Sequence, residues 1–107
     1  MPHILIRHKI ADFDQWLQIF TSRAGVRKLV GLREERFWRN AADPNDIFIL
    51  FAAGNLQTAL AYVNSPEVRK LMKSAGIIGQ PDIHVLLPAV SPDGAEVHPS
   101  KTAVAAA

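Results

Sequence analysis

The segment that most constrains the fold is residues 47–54, Ile-Phe-Ile-Leu-Phe-Ala-Ala-Gly. It is an uninterrupted apolar run of strand length, rich in β-branched and aromatic residues, and it is stopped by Gly54. A strand with one exposed face alternates apolar and polar residues, whereas this segment is apolar on both faces. We therefore predict a strand in the middle of a sheet, with another layer packed against each face.

Periodicity predicts the remaining elements, because apolar residues recur every second position in strands and every three to four positions in helices. In chain order these elements are a strand at residues 3–10, a helix that begins after Asp12, a charged edge strand at residues 32–41, a helix that begins at Asn55 and restarts at Ser65-Pro66, and a strand at residues 82–88. The order β-α-β-β-α-β predicts an α+β, ferredoxin-like fold, with a four-stranded antiparallel sheet and two helices on one face.

Two helices can cover only one face of such a sheet. The alternation of the strands places Leu5, Phe48, Leu50 and Leu86 on the other face. A large apolar side chain left in water forgoes roughly 1.5–3 kcal/mol of burial energy. We therefore predict a homodimer in which a second copy packs its own sheet against this face.

The composition bounds the kind of protein. The chain of 107 residues is long enough for one domain, which we place at residues 1–90, followed by a disordered tail at residues 91–107. It contains no cysteine and has a net charge of +2 with scattered basic residues, so we expect a cytoplasmic protein that binds no nucleic acid. No apolar run approaches the roughly 20 residues of a membrane helix, and we expect neither a membrane segment nor a signal peptide.

Three stretches resemble a known group of proteins: residues 7–16 (Arg-His-Lys-Ile-Ala-Asp-Phe-Asp-Gln-Trp), the turn Asp43-Pro44-Asn45 before the apolar strand, and residues 65–81 from Ser-Pro-Glu through Ala-Gly-Ile-Ile-Gly-Gln-Pro. They are similar to the dimeric α+β barrel superfamily, which includes antibiotic-biosynthesis monooxygenases and cyclase-like and stress-responsive barrel proteins. The resemblance covers about residues 3–88. Its monooxygenase branch implies oxygenation of an aromatic substrate without metal or flavin, in a pocket between the sheet and the helices.

His8 is our first candidate for chemistry. If Ile4 and Ile6 face the helices, His8 does so too, near the end of the first strand, where a cavity could open. Histidine titrates near neutral pH and can act as a base or as a hydrogen-bond donor. The plainer interpretation is a structural histidine, whose ring forms a hydrogen bond to Asp12 or to a backbone carbonyl at the end of the strand.

Five further residues are candidates for ligand binding. Trp16 and Phe51 would line the same cavity as His8, although core packing is their ordinary role. Arg36 and Trp38 share a face of the charged strand, where they could offer a cation and a flat apolar wall; alternatively, Arg36 pairs with a neighbouring glutamate while Trp38 packs under a helix. His84 alternates with apolar neighbours and is expected at the dimer interface.

No metal site or other cofactor is expected, because His3 and His8 lie on opposite faces of one strand and no histidine–glutamate cluster has ligand spacing. Two functions remain open. One is a cofactor-independent monooxygenase or cyclase-type enzyme that acts on a small aromatic or polyketide-like molecule. The other is a non-catalytic barrel that binds a small hydrophobic ligand or serves as a stress-related accessory. Polar groups converging in an apolar pocket would favour the enzyme; a pocket filled by Trp16, Phe51 and Met72 would favour the second function.

Overall fold

The computed structural model describes residues 1–90 and 92–95. Of the expected tail at residues 91–107, all but residues 92–95 lies outside the described part of the chain. The elements in order are β1 (His3–Ile10), α1 (Phe13–Ser22), α2 (Ala24–Leu29), β2 (Leu32–Arg39), β3 (Asp46–Ala53), α3 (Leu56–Val63), α4 (Pro66–Ser74) and β4 (Ile77–Leu86). None of the helices in the described residues is long and apolar enough to span a bilayer.

The sheet confirms the predicted architecture. Its strand order is β2-β3-β1-β4, and every pairing is antiparallel. The apolar strand β3 is hydrogen-bonded to β1 on one side and to β2 on the other, as its two apolar faces require. The charged strand β2 lies at an edge, where charge discourages pairing with other chains.

The side chains that the sequence predicts as N-caps form capping hydrogen bonds at the starts of α3 and α4. The Asn55 side chain accepts a hydrogen bond from Thr58 N at 3.0 Å, and the Ser65 hydroxyl accepts one from Val68 N at 3.2 Å. Pro66 then occupies the first position of α4, where its missing N–H costs nothing. Each of the two predicted helices is divided, since α1 also stops at Arg23 before α2 begins.

The last strand begins earlier than predicted. The strand was predicted at residues 82–88, but β4 runs from Ile77 to Leu86 and includes Gly79 and Pro81. Because β4 is an edge strand, the missing N–H of proline is tolerated there. The φ angle of Gly79 is +73°, and the pairing with β1 shifts register at this level, which is the geometry of a glycine bulge.

The two faces of the sheet differ in burial. On the helix side, Ile4, Ile6, Ile47 and Ile49 are each at most 4% exposed. On the other side, which we call the open face, Trp38 and Leu86 retain 43% and 42% of their surface; with Leu5, Phe48 and Leu50 they line a shallow depression. The helices therefore cover one face only.

A bulge divides β2 into two parts whose side-chain alternation is out of phase. The pairing with β3 shifts between Glu34 and Arg36 because Glu35 is an extra residue. Glu34 lies opposite Phe51 on the helix side, whereas Arg36 and Trp38 lie opposite Leu50 and Phe48 on the open face.

One ion pair ties the start of β3 to β1. Asp46 is 1% exposed, and Arg7 donates to both of its oxygens, from Nε at 3.1 Å and from Nη2 at 2.8 Å. Asn40 Nδ2 donates to Oδ2 at 3.0 Å. The hydrogen bonds from Arg7 and then from Asn40 hold the pKa of the Asp46 carboxyl below its ordinary value.

We expect Asp46→Asn to lower the melting temperature by several degrees at pH 7, because Arg7 then loses its charged partner. A carboxyl with a lowered folded pKa stabilises the fold fully above its unfolded pKa, ordinarily 3.8, and this stabilisation is lost as the pH falls through the lower folded pKa. The variant should therefore lose less stability than the wild type on acidification below pH ~4. Thermal melts against pH measure both effects. Glu35→Gln, at an exposed ion pair, is the control and should change little; equal effects of the two substitutions would contradict this role.

Candidate functional site

A cavity of about 80 Å³ lies between the helix side of the sheet and the helices. Most of its lining is apolar and comes from β1, β3, α1, α3 and α4, through Ile6, Ile49, Phe51, Trp16, Phe20, Val63, Val68, Leu71 and Met72. Four polar side chains also border it: His8, Tyr62, Arg27 and the exposed Arg23. Trp16, Phe51 and Met72 thus line the cavity without filling it.

His8 is placed by the alternation of β1, which brings it to the same side as Ile4 and Ile6 and opposite Ile47 of β3. The side chain is buried, with 5% of the residue exposed. Neither Nδ1 nor Nε2 has a hydrogen-bond partner in the described part of the chain. His8 therefore forms no hydrogen bond to Asp12 or to a backbone carbonyl in this part of the chain, contrary to the plainer interpretation.

Burial controls the charge of His8. Removal of the imidazolium from water lowers its pKa from 6.5 to about 4, and the negative charge of Asp46 offsets only part of that effect. The ring is therefore neutral at pH 7, with one N–H donor and one lone-pair acceptor. An unsatisfied buried polar group costs about 1–3 kcal/mol, so a bound molecule that supplied a partner would recover this energy.

An aromatic cluster frames the imidazole. The rings of His8 and Trp16 meet edge to face with centroids 5.8 Å apart. Trp16 stacks on Phe20 at 4.8 Å, and Phe37 of β2 meets the edge of both rings. These contacts fix the wall of the cavity next to His8, because Trp16, Phe20 and Phe37 each contact the other two.

Arg27 of α2 was missed by the analysis of the sequence. It is 7% exposed, its guanidinium carbon lies 3.9 Å from the centroid of Phe20, and Nη1 donates to Phe20 O at 2.7 Å. Its position continues the apolar stripe of Phe13, Trp16 and Phe20 at helical spacing. A cation on such a stripe is the signal that could have identified it.

The six predicted site residues fall into two groups. His8, Trp16 and Phe51 line the cavity. Arg36, Trp38 and His84 lie on the open face, where their strand partners are Leu50, Phe48 and Leu5, and all three are exposed. The sheet separates the groups, so they do not form one site within a single chain.

Metal-ligating side chains do not converge in the part of the chain that the structure describes, where no group of three or more could hold an ion. The cavity instead combines an apolar wall, a neutral imidazole and a buried guanidinium. Such a site can bind a small aromatic molecule, accept a proton from it and stabilise a negative charge.

Solved structures of low sequence identity share this fold. The crystal structure of an antibiotic biosynthesis monooxygenase matches with a TM-score of 0.63 at 9% identity, over 83% of this chain and 99% of its own. A protein from Agrobacterium tumefaciens matches with a TM-score of 0.59 at 12% identity, over 83% and 94%. An uncharacterized NIPSNAP domain protein from Burkholderia xenovorans matches with a TM-score of 0.57 at 12% identity, over 83% and 95%.

No protein-family model matches the sequence, and no curated protein matches it significantly. Identities this low establish likeness of fold alone. The chain has the ferredoxin-like α+β fold of antibiotic biosynthesis monooxygenase domain proteins, as the resemblance of its sequence implied.

Proposed function

We propose that the protein binds a small aromatic molecule in the cavity and that His8 accepts a proton from an acidic hydroxyl or methylene group of this molecule. The carbanion-like species that results reacts with oxygen or closes a ring. The observation that supports this function best is His8 itself: a buried, neutral imidazole with no hydrogen-bond partner in the described chain, beside an apolar cavity. The same position filled by leucine would avoid the cost of desolvation.

Proton transfer to His8 requires a suitable substrate. A neutral imidazole whose conjugate acid has a pKa of about 4 is too weak a base to remove a proton from an ordinary phenol in the free site. A phenolate or enolate that forms beside the imidazolium carries the opposite charge. This attraction stabilises the protonated ring and raises the pKa of His8. The reaction therefore favours substrates whose anion is delocalised over a ring or a neighbouring carbonyl.

The oxygenation balances without a further reductant. A ring-activated methylene gives up two hydrogens and four electrons as it becomes a carbonyl, and dioxygen takes those four electrons. One oxygen atom enters the carbonyl and the other leaves as water with the two hydrogens. In this scheme His8 takes the first proton from carbon and returns it to the departing oxygen.

The size of the cavity bears on both the substrate and the alternative function. About 80 Å³ is smaller than the roughly 300–1,000 Å³ of most small-molecule sites, so a single ring fits better than a multi-ring polyketide. The small volume also favours the second candidate, a barrel that binds a small hydrophobic ligand without turning it over. Turnover of a bound ligand distinguishes the two.

A homodimer through the open face completes the proposal. Trp38 and Leu86 are more than two-fifths exposed and lie in one depression with Phe48 and Leu50. Covering such side chains contributes roughly 1.5–3 kcal/mol for each one fully buried. In this dimer Arg36, Trp38 and His84 are interface residues rather than parts of the cavity.

The first test replaces His8 with leucine. We expect His8→Leu to raise the melting temperature, because it removes an unsatisfied polar group from an apolar site, and to weaken phenol binding by at least about tenfold. Thermal melts and calorimetric titrations measure the two effects. The control His84→Leu, at an exposed histidine on the open face, should leave phenol affinity unchanged. A lower melting temperature with unchanged affinity would assign His8 a purely structural role.

The second test follows the protonation of His8. Its ring resonances in NMR should titrate with a midpoint near the pKa of about 4 and should shift to higher pH when a phenolic ligand is bound. Between pH 6.5 and about 4 the unfolded chain binds this proton more readily than the folded protein, so stability falls as the pH falls through that window. His8→Leu should remove that part of the decline. A midpoint near 6.5 in the free protein would contradict the buried, neutral state.

The third test concerns the dimer. Sedimentation equilibrium of the wild type at micromolar concentration should give twice the chain mass, and Leu50→Asp on the open face should give monomers or aggregates. Leu29→Asp is the matched control, because Leu29 of α2 is 87% exposed and lies outside the sheet; it should leave the dimer intact. A monomeric wild type would refute an interface at the open face.

A further inference from the structure

The buried cation of the cavity lies away from the imidazole. Arg27 stacks on Phe20 and stands 5.9 Å from the centroid of Phe51, whereas His8 lies opposite Ile47, four residues earlier on β3. At about 3.4 Å per strand residue, these positions on β3 are roughly 14 Å apart. Side chains that point inward from both ends shorten this distance. The cavity thus has a proton acceptor towards one end and a positive charge towards the other.

The guanidinium of Arg27 is incompletely neutralised. Its nearest described carboxylate is Glu34, with Nη2 and Oε2 3.8 Å apart, which is an ion pair without a hydrogen bond. A guanidinium has five N–H donors, and the hydrogen bond from Nη1 to Phe20 O uses one of them. A buried cation of this kind costs folding energy unless an anion with good geometry approaches it. Burial accordingly lowers the pKa of Arg27, although the nearby Glu34 opposes this shift.

An anion can reach this position from the surface. Arg27 also borders a surface groove with Lys28 and Gly54, and the exposed Arg23 lies on the rim of the cavity. The charged end of a ligand would therefore meet two arginines at the place where the cavity approaches the surface. The apolar part of the ligand would extend inward between Trp16 and Phe51.

We propose that Arg27 selects ligands that carry a carboxylate, held at the guanidinium while the acidic hydroxyl or methylene group of the ring lies at His8. The inference rests on the proposed function and adds the substrate class: an aromatic acid whose carboxylate is separated from the reacting group by the length of the cavity. In the free protein Glu34 is the weaker partner of Arg27. The substrate carboxylate replaces it with direct, charge-assisted hydrogen bonds.

The test compares two ligands of the same shape, para-hydroxyphenylpropionate and its primary amide, by calorimetric titration at pH 8. The wild type should bind the acid about tenfold or more tightly than the amide, because hydrogen bonds between charged groups are the stronger ones. Arg27→Gln should abolish this preference and leave the affinity for the amide within about twofold. Arg69→Gln removes the same charge at an exposed position of α4 that borders neither the cavity nor the groove, and it should retain the preference.

A second variant does not depend on the stability of Arg27→Gln. Glu34→Gln removes the competing carboxylate at a side chain that is one-third exposed, and it should tighten binding of the acid but not of the amide. Weaker binding of the acid by this variant would overturn the proposal, as would a preference that survives Arg27→Gln or one that is lost in Arg23→Gln instead. If the wild type binds both ligands equally and amide binding still depends on His8, the role of Arg27 is overturned and the proposed function stands. Binding of neither ligand would overturn the proposed function as well.

Discussion

The structure depends on β3, an interior strand that is apolar on both sides. Its backbone is satisfied by β1 and β2, so its side chains must find cover above and below the sheet. The helices bury Ile47 and Ile49 to within 2% of complete burial, whereas Phe48 and Leu50 on the open face are only half-buried. The same strand therefore organises the core of the chain and creates the surface at which a second copy is proposed to pack.

The fully buried side chains on the helix side are apolar except at two places. His8 and Arg27 bring polar groups into a layer in which aliphatic side chains would be more stable, and neither is fully compensated by its described neighbours. Sites of this kind are where function competes with stability, because a binding site needs polar groups that the fold leaves available. The cavity beside both residues, between Trp16 and Phe51, also indicates a binding site.

Much of the fold could be predicted because its signals are local. The caps at Asn55 and Ser65, the alternation of β1 and the apolar run of β3 each lie within a few residues, and together they limit the topology to one ferredoxin-like arrangement. The start of β4 could not be predicted, because glycine and proline are uncommon inside strands. Gly79 fits into β4 because it forms a bulge, and Pro81 fits because β4 is an edge strand, where a missing N–H is tolerated.

The sequence alone determined the order of the elements, the interior place of β3, and the side of β1 on which His8 lies, because each follows from the spacing of apolar residues along one strand or helix. Tertiary structure decided the rest of the site. Only the bulge in β2 sends Arg36 and Trp38 to the open face and Glu34 towards Arg27. Only the packing of the helices over the sheet leaves free volume beside His8, with Arg27 at its border. These features depend on register and on contacts between residues distant in sequence, and no pattern within a single segment specifies them.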